Sequence, residues 1–354
     1  MNASLYTFII GLEDLRNYIR EIELEYQFIF SKYNEIAPFE HEAILIELKE
    51  RVMSSIIKWK TFNYNCIIIS LYGYFEQYLE SLLQSYIQNI NKIVPKYSDI
   101  PGPIKNNQLE LSIKLLSVID QPKYRDVITK AQVISNLHSC INNHENYCIN
   151  VEAFSYHTAN FKRNIIYETF ARAGIEEIPR KLTKTASFIE YLLSKTSSAE
   201  AIEDADLSYI DNLADRRNDV AHGVPTEDIL STELLLDYVN FFEAFGKALH
   251  EVASGYLLEF EVRKSAICIG KPIVVHNNNI VCIPIANTNI KVNDLLIAMI
   301  DNNILPYRWG KILEIQVNNT SYTEIMSTLN KINVALRVEF KAKDTYSYYL
   351  LRKE

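Results

Sequence analysis

The chain has 354 residues, 48% of them hydrophobic, and a formal net charge of −8 at neutral pH. This length and apolar content suffice for two folded domains, or one large and one small. The negative charge argues against avid, indiscriminate nucleic-acid binding, which depends mainly on neutralisation of phosphates by Lys and Arg. No leader sequence precedes the first apolar run, and no run approaches the ~18 residues of a membrane span, so a cytoplasmic protein without a membrane partner is expected.

Helical periodicity dominates the first 257 residues. Apolar residues recur every three or four positions from Leu5 to Ile29, which predicts an amphipathic helix. The stretch from His41 to Ile93 is hydrophobic over much of its circumference and predicts a buried central helix. Pro95 to Gln108 has the composition of a loop. Further helices are expected at 109–119, 124–141, 161–173, 185–193, in the segment that ends at 222, and at 235–256, with 142–160 irregular.

The pattern changes after Leu257 to short β-branched runs separated by turn residues. Asn277-Asn278-Asn279 separates two of these runs and is typical of a hairpin turn. Strands are expected at 266–269, 273–275, 280–283, 311–317, 333–340 and 346–351. So many short strands in about 95 residues predict a small antiparallel barrel. The predicted fold class is therefore α+β, with an all-α bundle as the domain 1–257 and a small β-barrel as the domain 258–354.

One short stretch, Asp215 to Gly223, combines residue types suited to phosphate chemistry. Gly223 and Pro225 end its helix, which places His222 in the last turn, where the carbonyl end of the dipole favours an imidazolium. Asn218 lies four residues before His222 and shares its face, while the long side chain of Arg217 must curl to reach that face. The same residue types also fit a solvated helix surface with a dipole-compensating histidine.

The sequence Arg217-Asn218-Asp219-Val220-Ala221-His222 resembles the Arg-polar-x3-His signature of the HEPN superfamily (higher eukaryotes and prokaryotes nucleotide-binding), in its stand-alone prokaryotic branch. The helix around 70–76 resembles the long second helix of that branch, and 160–175 resembles the helix before its motif. The resemblance covers roughly the first 255 residues. It implies an HEPN-type bundle and a metal-independent endoribonuclease of defence or toxin type, without a cofactor, that acts as a homodimer through its motif helices.

The resemblance also implies roles for the residues of the motif. His222 would be the general acid or base, since its unperturbed pKa of ~6.5 lies near working pH. Arg217 would hold the phosphoryl oxygens by bidentate contact, and Arg216 is an alternative because the motif tolerates a spacer of five. Asn218 and Asp219 would orient the histidine or the ribose, and the sequence leaves open which of them does so. The products would be a 2′,3′-cyclic phosphate and a 5′-hydroxyl.

Two further residues of the long second helix, Tyr72 and Glu76, are predicted to support the motif. By resemblance Glu76 would form a salt bridge with Arg217 or Arg216, and the alternative for this residue is a solvated carboxylate. Some toxin members of the superfamily carry a tyrosine two residues after the histidine that a partner enzyme modifies. Val224 occupies that position here, so this mode of control is not expected.

Basic residues between the central loop and the motif helix are the predicted RNA-binding surface. They are Lys162, Arg163, Arg172, Arg180, Lys181 and Lys184. Scattered solvated Lys and Arg on helices are the alternative. Residues 258–354 hold 12 Lys and Arg against 9 Asp and Glu, a net of +3, which leaves −11 for residues 1–257. The barrel is therefore expected to contribute attraction for RNA, with Lys341, Lys343, Arg352 and Lys353 beside its last strands and Arg308 next to Trp309.

A second cluster has soft ligand types within eleven residues: His138, Cys140, His144 and Cys148. Such residues can bind zinc, but the spacing matches no finger pattern and Asn142-Asn143 indicates a loop, so no metal site is predicted. The five cysteines (Cys66, Cys140, Cys148, Cys268 and Cys282) show no paired spacing, and reduced thiols are expected.

Two hypotheses from different classes remain. The preferred one is a cytoplasmic ribonuclease whose substrate is RNA and which an antitoxin or another defence-system protein restrains. The alternative is a catalytically silent HEPN domain that binds RNA, a nucleotide or a partner protein. The second part of the chain, from Ile312 to Asn319 and from Ile332 to Val338, is similar at the level of fold to the small barrel of translation factors.

Overall fold

A computed structural model describes residues 1–30, 42–142, 146–195, 207–224, 228–301 and 304–352 of the chain. The helices in these ranges are α1 (Asn2–Phe30), α2 (Glu42–Ile93), α3 (Gly102–Val118), α4 (Lys130–Ile141), α5 (Val151–Phe154), α6 (Arg163–Arg172), α7 (Ile178–Leu182), α8 (Ala186–Lys195), α9 (Ser208–Ala221) and α10 (Thr232–Ser265). The strands are β1 (Ile267–Gly270), β2 (Val274–His276), β3 (Ile280–Ile285), β4 (Asn289–Lys291), β5 (Leu295–Met299), β6 (Tyr307–Val317), β7 (Thr320–Tyr322), β8 (Glu324–Met326), β9 (Ile332–Val338) and β10 (Ser347–Leu351).

Helix α2 is the centre of the helical part, as its apolar composition predicts. It packs against α1, α5, α9 and α10, and its buried side chains belong to one continuous core. These side chains include Tyr64, Ile68, Leu71, Tyr72, Phe75, Leu79, Leu82, Tyr86 and Ile90. Because apolar residues occupy several sides of α2, the other helices can bury their single apolar stripes against it.

Two predicted boundaries in the helical part are wrong for identifiable reasons. The segment predicted as a loop up to Gln108 already becomes helical at Gly102, because Pro103 occupies the first turn of α3, where its missing N–H costs nothing. The helix predicted from Tyr124 begins only at Lys130. Thr129 caps it through a reciprocal capping box with Gln132.

The strands form an antiparallel sheet in the order β1-β10-β5-β6-β9-β3-β2, with β7 beside β6 and a separate β4–β8 pair. The long strand β6 pairs with β5 along its first half and with β9 along its second half, with an irregularity between Ile312 and Glu314. Side chains from successive strands meet in one core, among them Val281, Leu296, Ile312, Leu336 and Tyr348. The sheet is thus an antiparallel half-barrel, and the predicted α+β class is confirmed.

Asparagines at positive φ make two of the hairpins. Asn277 and Asn278 have φ of 50° and 58° in the predicted turn between β2 and β3. Asn318 and Asn319, with φ of 49° and 63°, form the tight turn between β6 and β7. Asparagine tolerates this left-handed region better than most residues, so the sequence fixes both turns locally.

The helical and β parts meet along the C-terminal half of α10. Leu258 of this helix is buried with Ile297 of β5 and Leu351 of β10, and Val262 and Trp309 pack against them. The division into domains at 257 and 258 falls inside α10, since the helix continues to Ser265, and this division stays a prediction. None of the helices in the described ranges combines the length and apolar character of a membrane span.

Candidate functional site

The motif lies at the C-terminal end of α9. Ile210, Leu213 and Ala214 are buried on the inner side of this helix. Gly223 follows it with φ of +68°, its N–H donates to the Val220 carbonyl at 3.2 Å, and the Val224 N–H donates to the Asp219 carbonyl at 2.9 Å. This pair of bonds is a Schellman motif, which needs a left-handed residue at the glycine position. Pro225, the other predicted stop signal, lies outside the described residues.

His222 is the residue that follows the last helical position, Ala221, so the helix ends one residue earlier than predicted. Its backbone N–H donates to the Asn218 carbonyl at 2.9 Å, and its side chain is exposed. Within the part of the chain that the structure describes, its imidazole has no hydrogen bond or ion pair. The ring is therefore accessible at the carbonyl end of α9, where the helix dipole favours positive charge.

Arg217 is half-buried on the side of α9 that faces α2. Its guanidinium carbon lies 5.3 Å from the centre of the Tyr72 ring, and Nη1 donates to Asn218 Oδ1 at 3.4 Å. No carboxylate among the described residues forms an ion pair with it. A guanidinium held on an aromatic face without a counter-ion keeps most of its N–H donors available for an anion.

Arg216 has the opposite environment. Its guanidinium donates to the Tyr64 hydroxyl at 2.6 Å, to Asn212 Oδ1 at 2.6 Å, and to the carbonyl and carboxylate of Asp228 at 2.9 and 2.8 Å. Burial alone would lower the pKa of Arg216, but the bonds to Asp228 and Tyr64 raise it above its ordinary value. These contacts hold Arg216 as part of the packing between α9, α2 and the segment before α10.

Of the two polar residues that follow Arg217, Asn218 is held by a hydrogen bond and Asp219 is exposed. Asn218 Oδ1 accepts a hydrogen bond from the side chain of Asn160 and is half-buried. Asp219 is exposed, and its side chain has no hydrogen-bond partner among the described residues. Among the described residues neither side chain forms a hydrogen bond with the His222 ring, so the question of which one orients it stays open, and Asn218 is the one whose side chain is held by a partner.

Tyr72 links α2 to the segment before α6. Its hydroxyl accepts a hydrogen bond from the Phe161 N–H at 2.9 Å, next to the Asn160 that binds Asn218. Burial is the largest cause that raises the pKa of Tyr72, and the charge of Glu76 raises it further, so the phenol is neutral near pH 7. Tyr72 thus provides a neutral aromatic surface for Arg217.

The predicted salt bridge of Glu76 with Arg217 or Arg216 is not present. The ion-pair partner of Glu76 in the described ranges is His157, whose Nε2 lies 3.6 Å from the Glu76 carboxylate. The reason is geometric, since Arg216 is bound by Asp228 and Arg217 lies over the ring of Tyr72.

His157 is a residue that sequence reasoning missed. Its Nε2 lies 2.8 Å from the Glu80 carboxylate, its Nδ1 lies 2.8 Å from the Ala159 carbonyl oxygen, and the centre of its ring lies 4.0 Å from that of Phe161 at an interplanar angle of 41°. The carbonyl and carboxylate oxygens are hydrogen-bond acceptors, so these contacts use N–H donors of the ring. Burial raises the pKa of Glu80, but hydrogen bonds from His157 and Lys123 outweigh this and hold it below its ordinary value. The only signal in the sequence was a lone histidine in a polar loop.

Four of the six predicted RNA-binding residues, Lys162, Arg163, Arg180 and Lys181, fall in two places. Lys162 pairs with Asp215 at 2.6 Å and Arg163 pairs with Asp211 at 2.7 Å, so both lie against the motif helix. The other two are on α7, where Arg180 pairs with Glu177 and Lys181 donates to the Tyr256 hydroxyl. Each cation therefore already has a partner, and acidic residues of α9 neutralise the first two.

The cysteine and histidine cluster shows no shared centre. Cys140 is buried, accepts a hydrogen bond from Gln108 at 3.0 Å and donates to the Cys148 carbonyl at 3.2 Å. His144 lies outside the described residues. Among those that are described, no group of three or more His, Cys, Asp or Glu is arranged to hold a metal ion.

The chain thus consists of a helical bundle with Arg217 and His222 at a helix end, followed by a β-domain. The sequence profile of the RiboL-PSP-HEPN family matches residues 20–254, two thirds of the chain. The chain belongs to the RiboL-PSP-HEPN family, and HEPN domains are in general RNase-type, nucleotide-binding domains. A sequence comparison with curated proteins gave no match.

Proposed function

We propose that the chain is a metal-independent endoribonuclease of defence or toxin type. The observation that supports this best is the pairing of two groups at one helix end. Arg217 has no carboxylate partner among the described residues, and His222 is exposed one helical turn further on. A cation for the phosphoryl oxygens and an acid-base group near working pH are the protein groups that RNA transesterification requires.

RNA supplies its own nucleophile in the proposed reaction. The ribose 2′-oxygen forms a bond to phosphorus while the bond from phosphorus to the 5′-oxygen of the next nucleotide breaks. The 2′-hydroxyl loses a proton, the leaving 5′-oxygen gains one, and His222 takes or donates one of these protons. Arg217 stabilises the charge that grows on the non-bridging oxygens. The products are a 2′,3′-cyclic phosphate and a 5′-hydroxyl.

The reaction needs a second group for the other proton, and a homodimer through α9 would supply it as the His222 of a second copy. The exposed face of α9 carries Asp215, Asp219 and His222, so a two-fold pairing of this face would bring two histidines together. Lys162 and Arg163 already pair with acidic residues of α9, which makes the RNA contact selective rather than indiscriminate.

The test is cleavage of a short RNA by the purified full-length chain, with analysis of the new ends. We expect a 2′,3′-cyclic phosphate, cleavage that persists in excess EDTA, and no cleavage where the scissile ribose carries a 2′-O-methyl group. His222→Ala should lower the rate by about 10²–10⁴-fold. His276→Ala, a matched substitution of an exposed histidine on β2, should leave the rate unchanged.

Expression in growing cells tests the toxin part of the proposal. We expect growth arrest with the unaltered chain and with His276→Ala, and normal growth with His222→Ala. Undiminished toxicity and cleavage in His222→Ala would refute the assigned role of this residue. Activity that disappears with EDTA and returns with zinc would refute metal independence.

The alternative is a catalytically silent HEPN domain that binds RNA, a nucleotide or a partner protein. The observation that favours it is the neutralisation of Lys162 by Asp215 and of Arg163 by Asp211, which weakens the cationic surface beside the motif. In that case RNA would bind without being cleaved, and His222→Ala would change neither RNA binding nor cell growth.

A further inference from the structure

A cavity lies far from the motif, where α7, the C-terminal half of α10 and the start of β6 meet. Its volume is about 400 Å³, within the range of small-molecule sites in proteins. Tyr238 of α10 packs beside the motif helix, and Gly255 lines the cavity 17 residues further on, about 25 Å along the helix at ~1.5 Å per residue. We name this space the α7–α10–β6 cavity.

Three aromatic side chains line the α7–α10–β6 cavity: Tyr256 of α10 and Tyr307 and Trp309 of β6. The Tyr256 ring is fixed, because its hydroxyl donates to the Glu176 carbonyl at 3.1 Å and accepts from the Glu176 N–H at 3.0 Å and from Lys181. All the bonds that a phenolic hydroxyl can make are thus used. A flat wall that is already held in place is suited to stacking by an aromatic ligand.

Cations lie at one end of these aromatic walls. Lys181 lines the cavity with its ammonium group 4.3 Å from the centre of the Tyr256 ring, so its contacts there are with a neutral phenol. Arg180, beside it, forms an exposed pair with Glu177 at 3.2 Å, a contact of small energetic value. An anionic group can therefore bind Lys181 without breaking a buried ion pair.

Three carboxyl groups also line the cavity, those of Glu177, Glu251 and Glu259, and Glu177 and Glu259 already form ion pairs with Arg180 and Arg263. Burial raises the pKa of Glu251, an effect that a backbone bond from Ala186 and the charge of Arg308 partly offset. A carboxyl in this position can accept from, or donate to, the polar edge of a ligand.

The glycine at position 255 is a second, independent observation. Glycine inside a helix is destabilising relative to alanine, and Gly255 lies within α10. A Cβ placed on it would meet no atom within 4 Å, so packing does not require the glycine. A side chain at this position would enter the cavity, and the glycine keeps that space open.

We propose that the α7–α10–β6 cavity binds a nucleotide, with the base against Tyr256, Tyr307 and Trp309 and the phosphate at Lys181 and Arg180. The combination of flat aromatic walls, a cation at one end and a carboxyl on the wall matches the base, phosphate and polar edges of such a ligand. The source is either a free nucleotide or one nucleotide of an RNA chain. The proposal does not depend on the cleavage activity, because the site lies about 25 Å from the contact between α10 and the motif helix.

Tryptophan fluorescence provides a direct readout, since the chain has two tryptophans and one of them lines the cavity. Trp59→Phe leaves Trp309 as the only tryptophan, and stacking of a base should quench it. The probes are the four ribonucleoside 5′-monophosphates, adenosine, inorganic phosphate, a hexaribonucleotide and choline. His222→Ala is included so that the RNA stays intact.

We expect saturable quenching by a monophosphate or by the hexaribonucleotide. Quenching by a monophosphate would identify the ligand as a free nucleotide, and quenching by the hexaribonucleotide alone would identify it as part of an RNA chain. Lys181→Ala should weaken binding by about tenfold or more, because a charge-assisted bond to phosphate is lost. Lys181→Arg should restore most of it, and Gly255→Leu should abolish it without lowering the melting temperature, because leucine is a better helix former than glycine. Lys264→Ala, an exposed cation further along α10, should have no effect.

A weak ligand has a dissociation constant of ~1 mM. Absence of quenching by every nucleotide probe at a concentration about 10-fold above this value would overturn the proposal. So would nucleotide binding that Gly255→Leu and Lys181→Ala both leave unchanged. Binding of choline in place of nucleotides would assign the aromatic walls to a cation instead. None of these outcomes affects the ribonuclease proposal, which rests on cleavage and on variants at the other site.

Discussion

Two neighbouring arginines of α9, Arg216 and Arg217, lie in opposite environments. Arg216 is 16% exposed and binds a phenol, an amide and an aspartate. Arg217 is rotated by about 100° around the helix and lies on an aromatic ring without a carboxylate partner in the described ranges. The difference teaches that one arginine holds the helix in place and the other is available to a ligand.

The largest expected effect separates these two arginines. Arg217→Ala removes the cation from the proposed reaction, so we expect kcat/KM for RNA to fall about 10²–10³-fold with little change in unfolding free energy. Arg216→Ala leaves Tyr64 and Asp228 without their partner, so we expect a loss of about 2–3 kcal/mol of unfolding free energy. Single-turnover cleavage and urea denaturation measure the two effects. The comparison fails if Arg216→Ala abolishes cleavage in a protein of unchanged stability.

A second prediction tests the contact between α2 and the segment that positions Asn218. His157→Gln removes one of two bonds and the tilted ring contact with Phe161, so we expect a loss of about 1–3 kcal/mol in stability. The rate of cleavage should also fall, because Asn160 follows His157 closely and binds Asn218. His276→Gln serves as the matched control, and equal melting temperatures of the two variants would contradict the prediction.

The pH dependence of stability follows from Glu80. Its pKa in the folded chain lies below the ordinary value of 4.5, so its contribution to stability is fully present above about pH 4.5. This contribution is lost as the pH falls through the lower folded pKa. Wild-type chain should therefore exceed Glu80→Gln in melting temperature at pH 6, and the difference should shrink towards pH 3. A difference that grows in acid would have the wrong sign.

A smaller effect is expected at the helix end. Gly223 has φ of +68°, and a non-glycine residue there costs about 1–2 kcal/mol. Gly223→Ala should lower stability by that amount and loosen the turn that carries His222, whereas Gly223→Asn should be milder. Thermal unfolding of the two variants measures this. Equal stability of Gly223→Ala and the wild type would show that the Schellman motif does not hold the helix end.

The smallest expected effect concerns lysines with and without a carboxylate partner. Lys341 and Lys343 are exposed near β10 and have no carboxylate partner among the described residues, while Lys162 is paired with Asp215. If RNA contacts the β part, Lys341→Gln with Lys343→Gln should reduce the slope of log Kobs against log salt by up to about 2, and Lys162→Gln should change it less. Filter binding at several salt concentrations measures the slopes. An unchanged slope in the double variant would remove the β part from the RNA interface.

Much of the fold follows from local sequence, and the exceptions have physical reasons. The apolar stripes predict α1, α2 and α10, and the asparagine turn predicts the β2–β3 hairpin. Strand β5 was missed because Leu295 to Met299 contains Leu, Ala and Met, which are good helix formers, and its burial between β10 and β6 decides its conformation. Tertiary contacts override propensity here.

The site was less predictable than the fold. The motif residues could be found because they are close in sequence and end in a glycine. The roles of Arg216 and Arg217 could not be separated, since their partners Asp228 and Tyr72 come from other parts of the chain. His157 and Glu80 are 77 residues apart, and no local pattern connects them.

Helix α10 also has a mechanical consequence. Its 34 residues form one continuous rod of about 50 Å at ~1.5 Å per residue, with Tyr238 beside the motif helix and Leu258 beneath the sheet. A rod is a lever. If its C-terminal half tilts by about 2° about a pivot 25 Å away, the far end moves by about 1 Å, a displacement of the size that can misalign catalytic groups. Shifts of the β part can therefore be transmitted to the motif helix through Tyr238, which donates to Asn212.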